Sequence, residues 1–77
     1  MEAEEFTRRL ASLTPRELQV LRFLVEGTPR EEIARRLGAN PNTIRTHLQN
    51  MLTKLQVHSK LEAVALMRTF GPDDEPA

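Results

Sequence analysis

The sequence predicts an all-α fold, a bundle of four helices, and three observations carry that prediction. Helix-start signals recur along the chain, at Thr14-Pro15-Arg16-Glu17, Thr28-Pro29-Arg30-Glu31, Asn40-Pro41 and Ser59-Lys60-Leu61-Glu62. Each sets a capping Thr, Asn or Ser ahead of a first turn, and all but the third have a Glu placed to close a capping box. Gly27, Gly38 and Gly71 fall where left-handed C-terminal residues belong. Between these marks apolar residues recur at helical spacing, and no stretch sustains period-two alternation, so no strand is predicted. The helices then run over about 15–26, 29–37, 41–56 and 59–70. The repeated TPRE is a capping coincidence, too short to imply a domain repeat.

Composition narrows the class further. The 77 residues make one small domain near the lower limit for an independent core, and there is no cysteine to staple it. His47 and His58 are the only histidines, and neither sits in a cluster with ligand spacing, so no metal and no cofactor are expected. Nothing pairs a nucleophile with a base and an orienting group, which argues against an enzyme. The apolar runs are too short to span a bilayer and MEAEEF is no signal peptide, so a soluble, cytoplasmic chain is expected, without a small-molecule ligand. Net charge is zero, but its distribution is uneven. From Thr28 to Lys60, Arg30, Arg35, Arg36, Arg45, Lys54 and Lys60 face only Glu31 and Glu32, a net of +4 between ends of −1 and −3. A local basic field outweighs the total at short range.

The elements justify themselves in order. Met1–Leu13 places Phe6, Leu10 and Leu13 at helical spacing and reads as an N-terminal extension, either a docked helix or a linker. The first predicted helix offers Leu18, Leu21, Leu24 and Val25 to a core, and the second Ile33, Ala34 and Leu37. Each large aliphatic contributes about 1.5–3 kcal/mol on burial, set against the ordering entropy of a small chain, so modest stability is expected. The third helix stacks Ile44, Leu48, Met51, Leu52 and Leu55 on one stripe. In the fourth, Leu61, Val64 and Ala65 suit the core, while Ala63, Leu66, Met67 and Phe70 widen the apolar arc beyond one face. That excess suggests a second contact, the competing reading being that Met67 and Phe70 fold back onto Phe6 and Leu10. Residues 71–77, GPDDEPA, read as an acidic, disordered tail.

The polar face of the third helix is unusual. Asn42, Thr46, Gln49, Asn50 and Thr53 line it without a carboxylate, where a charged surface helix would show Glu and Lys pairs. Amides and hydroxyls are the groups that hydrogen-bond base edges. Arg45 flanks this face on one side, His47 and Lys54 on the other. The bland alternative is a core helix with a merely polar outside. Gly38-Ala39-Asn40 joins it to the helix before, a short turn of the helix-turn-helix type, so the 41–56 segment is the expected recognition helix for the major groove of double-stranded DNA.

LTPRELQVLRFLVEG, followed by EEIARRLGANPNTIRTHLQNMLTKLQVHSKLEAVAL, resembles the C-terminal DNA-binding domain of LuxR/FixJ-type bacterial transcription regulators, the family that includes the small GerE regulators. The resemblance covers about Leu13 to Leu66. It implies a four-helix bundle whose third helix reads DNA and whose fourth commonly carries dimer contacts. Thr43, Ile44, Arg45, Thr46 and His47 match the family's T-V-K-x-H segment. On this basis Asn42, Arg45, Thr46 and Gln49 are expected at bases. Thr28, Arg30, Thr43, His47, Asn50, Lys54 and Lys60 are expected at phosphates, with helix capping as the alternative role for Thr28. Ala63, Leu66, Met67 and Phe70 are expected in a weak homodimer interface stabilised on DNA, and RNA polymerase as a further partner. Three departures stand out: Pro29-Arg30 replaces a commoner polar pair, Pro41 heads the recognition helix, and Gln56 replaces the usual glycine, leaving the 56–59 turn open.

The expected function is sequence-specific DNA binding in a transcription regulator, stand-alone or as the effector domain of a response regulator. Two readings compete with it. Region 4 of a sigma-type factor starts with similar segments but has a more arginine-rich recognition helix and no SKLEAVAL helix. A protein-interaction module that lost DNA would use the last helix and the tail. A start at Met1 and a short tail suit a small stand-alone regulator, though an excised fragment would look the same.

Overall fold

The computed structural model describes residues 1–71, and the predicted tail at 72–77 lies outside them. Five helices occur among the described residues: α1 (Ala3–Ala11), α2 (Pro15–Val25), α3 (Arg30–Leu37), α4 (Pro41–Leu55) and α5 (Lys60–Phe70). No strand occurs among them. The all-α bundle with its helix-turn-helix, α3–turn–α4, is the one predicted, with a helix added in front. Residues 3–11, left open between docked helix and linker, form α1. Its Glu4 and Glu5 in the first turn and Arg8 and Arg9 in the last both suit the helix dipole.

Helix starts follow the capping signals with one exception. Thr14 Oγ1 accepts the Glu17 N–H at 3.1 Å while Glu17 Oε1 accepts the Thr14 N–H at 2.9 Å, a complete capping box. Asn40 Oδ1 accepts the Thr43 N–H at 3.0 Å. Ser59 Oγ accepts the Glu62 N–H at 3.1 Å, but the Glu62 carboxylate reaches one residue further back, to the His58 N–H. The box expected at Thr28 does not form. Pro29 is the N-cap of α3, without a side-chain cap, and the Thr28 N–H bonds back to the Phe23 carbonyl at 2.9 Å.

That backward bond is half of a Schellman ending. With Gly27 at φ +82°, the Gly27 N–H reaches Leu24 and the Thr28 N–H reaches Phe23. The same closure follows Gly38 and, less expectedly, Gln56, which sits at φ 58° while Val57 donates to the Leu52 carbonyl at 3.1 Å. The 56–59 turn therefore keeps the glycine geometry without the glycine. Gly71 is not left-handed as predicted. It is extended, and a Cβ there would run into the Met67 carbonyl that its own N–H meets at 2.8 Å.

The core sits around α4, which packs against each of the other four helices. Phe6, Val20, Leu21, Ile33, Ile44, Met51 and Leu55 are fully buried, joined by Ala34, Leu48, Val57 and Ala63. Leu18, Leu24 and Leu37 pack on its edge, and Val25 is half-buried. α5 corrects the predicted faces. Ala63 is 0% exposed, and Leu66, Met67 and Phe70 are half-buried and pack against the core. Leu61, predicted for the core, is 81% exposed, Ala65 is exposed and Val64 half-buried. The cause is α1. Phe6 meets Phe70 with ring centroids 6.3 Å apart, so the apolar arc that seemed too wide for four helices is matched by a fifth.

Candidate nucleic-acid interface

The second helix of the helix-turn-helix presents a polar surface because its apolar stripe is fully engaged. Ile44, Leu48, Met51 and Leu55 are buried, which turns Asn42, Arg45, Thr46, Gln49, Asn50 and Thr53 outward, all exposed. Asn42, Thr46, Gln49 and Thr53 follow one another every three or four residues and so share one face, with Arg45 flanking it. The Thr46 hydroxyl donates to the Asn42 carbonyl at 3.2 Å, which fixes it and leaves its lone pairs to accept. Thr43, at the head of the helix, is exposed, and His47 on the flank is half-buried.

Electrostatics set α4 apart from its neighbours. The other four helices each carry an acid in the first turn, at Glu4 and Glu5, Glu17, Glu31 and Glu32, and Glu62. α4 carries none. Its positive N-terminal end is thus left without an internal counter-charge, the arrangement that suits a phosphate. Arg30 and Lys60 stand at the first positions of α3 and α5, where a cation opposes the helix dipole. Among the described residues, Arg30, Arg45 and Lys60 have no carboxylate partner, and all three are exposed. Placing cations against the local preference is reasonable where an external anion compensates them.

Other cations of the basic stretch are committed internally. Glu32 holds both Arg35 and Arg36, the latter at 2.9 Å, and the hydrogen bond from Arg35, then that from Arg36, pull its carboxyl down to about 2. In return Glu32 raises the Arg35 guanidinium. Arg36 also lies over the Phe23 ring, 5.8 Å from its centroid. Lys54, expected at a phosphate, is turned inward instead. Its Nζ donates to Glu17 Oε1 at 2.9 Å, with the Glu17 side chain 5% and the Lys54 side chain 36% exposed. Burial pushes the Glu17 carboxyl up, but Lys54 and the Thr14 N–H outweigh it and hold it below the usual glutamate value. Thr28 is half-buried, and its N–H belongs to the end of α2.

Sequence reasoning missed two residues that tie this surface down. Glu17 was read only as a cap, yet it lies on the Val20, Leu21 and Leu24 face, and an acid on an apolar stripe calls for a buried cation. Arg9 donates to the Leu55 carbonyl at 3.2 Å, closing the C-terminal end of α4 from α1. No local sequence signal marks that second contact. Among the described residues no group of three or more His, Cys, Asp or Glu is placed to hold a metal ion. No helix there is long and apolar enough to cross a membrane.

Comparisons with known proteins converge on one group. Residues 11–67 match the GerE family model, described as bacterial regulatory proteins of the luxR family. The transcriptional regulatory protein FixJ of Bradyrhizobium diazoefficiens is 39% identical over 69 residues, covering 90% of this chain and 34% of the relative. The nitrate/nitrite response regulator protein NarL of Escherichia coli K12 is 39% identical over 56 residues, 73% of this chain and 26% of the relative. In structure, full-length FixJ from B. japonicum superposes with a TM-score of 0.81 at 39% identity, over 90% of this chain and 34% of that one. The chain therefore spans about a third or less of the length of these relatives.

Proposed function

Because the chain belongs to the luxR family of bacterial regulatory proteins, we propose that it is the DNA-reading part of a transcription regulator and inserts α4 into the major groove of double-stranded DNA. The observation that carries this reading is the outer face of α4. It is exposed, built of amides, hydroxyls and Arg45, and its N-terminal end lacks an acid. Arg45 donates to guanine in bidentate fashion, Gln49 pairs with adenine, and Asn42 and Thr46 complete the base contacts. Thr43, Asn50, Arg30 and Lys60 take phosphates, with His47 and Thr28 at the margin. Lys54 leaves this set because Glu17 holds it.

Selection of DNA from a random pool tests the proposal and yields the half-site. Arg45→Ala should then cost about 1–3 kcal/mol and relax preference at one position. Lys60→Ala should weaken all sequences alike and lower the salt slope by roughly one unit. An unenriched pool, or binding indifferent to salt, would favour the protein-interaction reading.

Pairing on DNA is proposed through the outward face of α5, around Leu61, Val64 and Ala65, in place of the Ala63 stripe, which packs on the core. A large apolar residue left 81% exposed supports that choice. One helix per subunit offers less than the roughly 1,200 Å² of a stable interface, so the free domain should be monomeric and pair on half-sites about 10 bp apart. Leu61→Glu should abolish cooperativity on paired sites and spare binding to one. RNA polymerase is the partner such a regulator would meet at a promoter.

A further inference from the structure

We propose that Glu17, which makes no contact with the exposed reading face, is a positioning residue for the recognition helix and acts through Lys54. The inference rests on the DNA-reading function assigned to α4. Among the described residues, the cross-helix polar tethers of α4 grip its last turn: Lys54 Nζ to Glu17 Oε1 at 2.9 Å, from the head of α2, and the Leu55 carbonyl to Arg9, from α1. At the other end, the described bonds of Asn40, Thr43 and Thr46 stay within the turn and the helix. Glu17 is itself held in place, buried and with its Oε1 also accepting the Thr14 N–H in the capping box. A buried, doubly bonded acid thus pins the far end of a rod whose near end reads.

Geometry turns that pin into specificity. The 15 residues of α4 make a rod about 22 Å long, so a tilt of about 5° about its last turn displaces its first turn by roughly 2 Å. Base-edge hydrogen bonds fail within such a displacement. Phosphate attraction, being Coulombic, falls off far more gently. Loss of the pin should therefore erode preference among sequences and leave general affinity for DNA.

The test compares two probes, a duplex selected by the wild-type chain from a random pool and a shuffled duplex of the same composition. Glu17→Gln keeps a carbonyl oxygen for the Thr14 N–H and removes the charge; Lys54→Met removes the ammonium and keeps the stem. Each should lower affinity for the selected duplex roughly tenfold and for the shuffled one less than about twofold, and the double variant should add little. Lys54→Arg should restore the wild-type ratio. Should Glu17→Gln not fold, the partly exposed Lys54→Met carries the same measurement. A lower melting temperature with an unchanged ratio would overturn the inference and leave a structural ion pair. So would equal losses on both duplexes in Lys54→Met with a smaller salt slope, which would make Lys54 a phosphate contact. A wild-type chain that does not distinguish the two duplexes would overturn the DNA-reading function itself, and the inference with it.

Discussion

Thr14-Pro15-Arg16-Glu17 and Thr28-Pro29-Arg30-Glu31 are the same four letters, and they fold differently. In the first, threonine caps, proline opens the helix and glutamate returns to the threonine N–H. In the second, proline is the N-cap, the helix starts one residue later and no side chain caps it. The reason lies one residue upstream. A capping box needs a free N–H on its first residue, and Thr28 has already given its N–H to Phe23 in the Schellman closure after Gly27. Where one residue or more intervenes, as Ala39 does before Asn40, the cap forms normally. Helix-start signals are therefore read correctly only together with the ending before them.

The largest expected break in this comparison is at the two glutamates. Glu17→Ala removes a buried acid, half of a box and the partner of Lys54, and should cost about 3 kcal/mol in denaturant unfolding. Glu31→Ala, at an exposed position, should stay within about 0.5 kcal/mol. Acid titration checks the same asymmetry. The folded Glu17 carboxyl titrates below its ordinary value of 4.5, so its contribution is complete above that pH and is lost as pH falls through the lowered value. Glu17→Gln should flatten that limb, leaving the part due to Glu32, held at about 2.

The threonines come next. Thr14→Ala should cost about 1–2 kcal/mol and Thr28→Ala within about 0.5; equal losses would mean that Thr28 caps after all. The smallest effect sharpens the role of the endings. Gln56 holds at φ 58° a conformation that Gly27 adopts freely. Gln56→Gly should stabilise the domain by about 0.5–1 kcal/mol, the relieved strain exceeding the added freedom of the unfolded chain. A loss instead would show that the Gln56 side chain contributes a contact.

Much of the fold was legible because capping and periodicity are local. The α4 stripe of Ile44, Leu48, Met51 and Leu55 is buried as read, and the polar face opposite is exposed as read. What failed depends on neighbours absent from a local window. Phe70 looked surplus only while α1 and its Phe6 were uncounted, and Leu61 looked internal but is 81% exposed. Lys54 looked available because its partner stands 37 residues away. Charge counting along the chain gave the basic stretch correctly, but only pairing in space separates Arg45 from Lys54.

The contact of Phe6 with Phe70 joins residues almost a chain length apart. Closing so large a loop is entropically the costliest step available to this chain, so the two ends should dock last in folding and come apart first. Amide exchange would then find α1 and the end of α5 opening together, as one unit, ahead of α2 and α4. Since Arg9 rides on α1, each such opening also releases the Leu55 carbonyl. The rate at which the chain ends breathe therefore sets a clock on how long α4 keeps its mooring to α1.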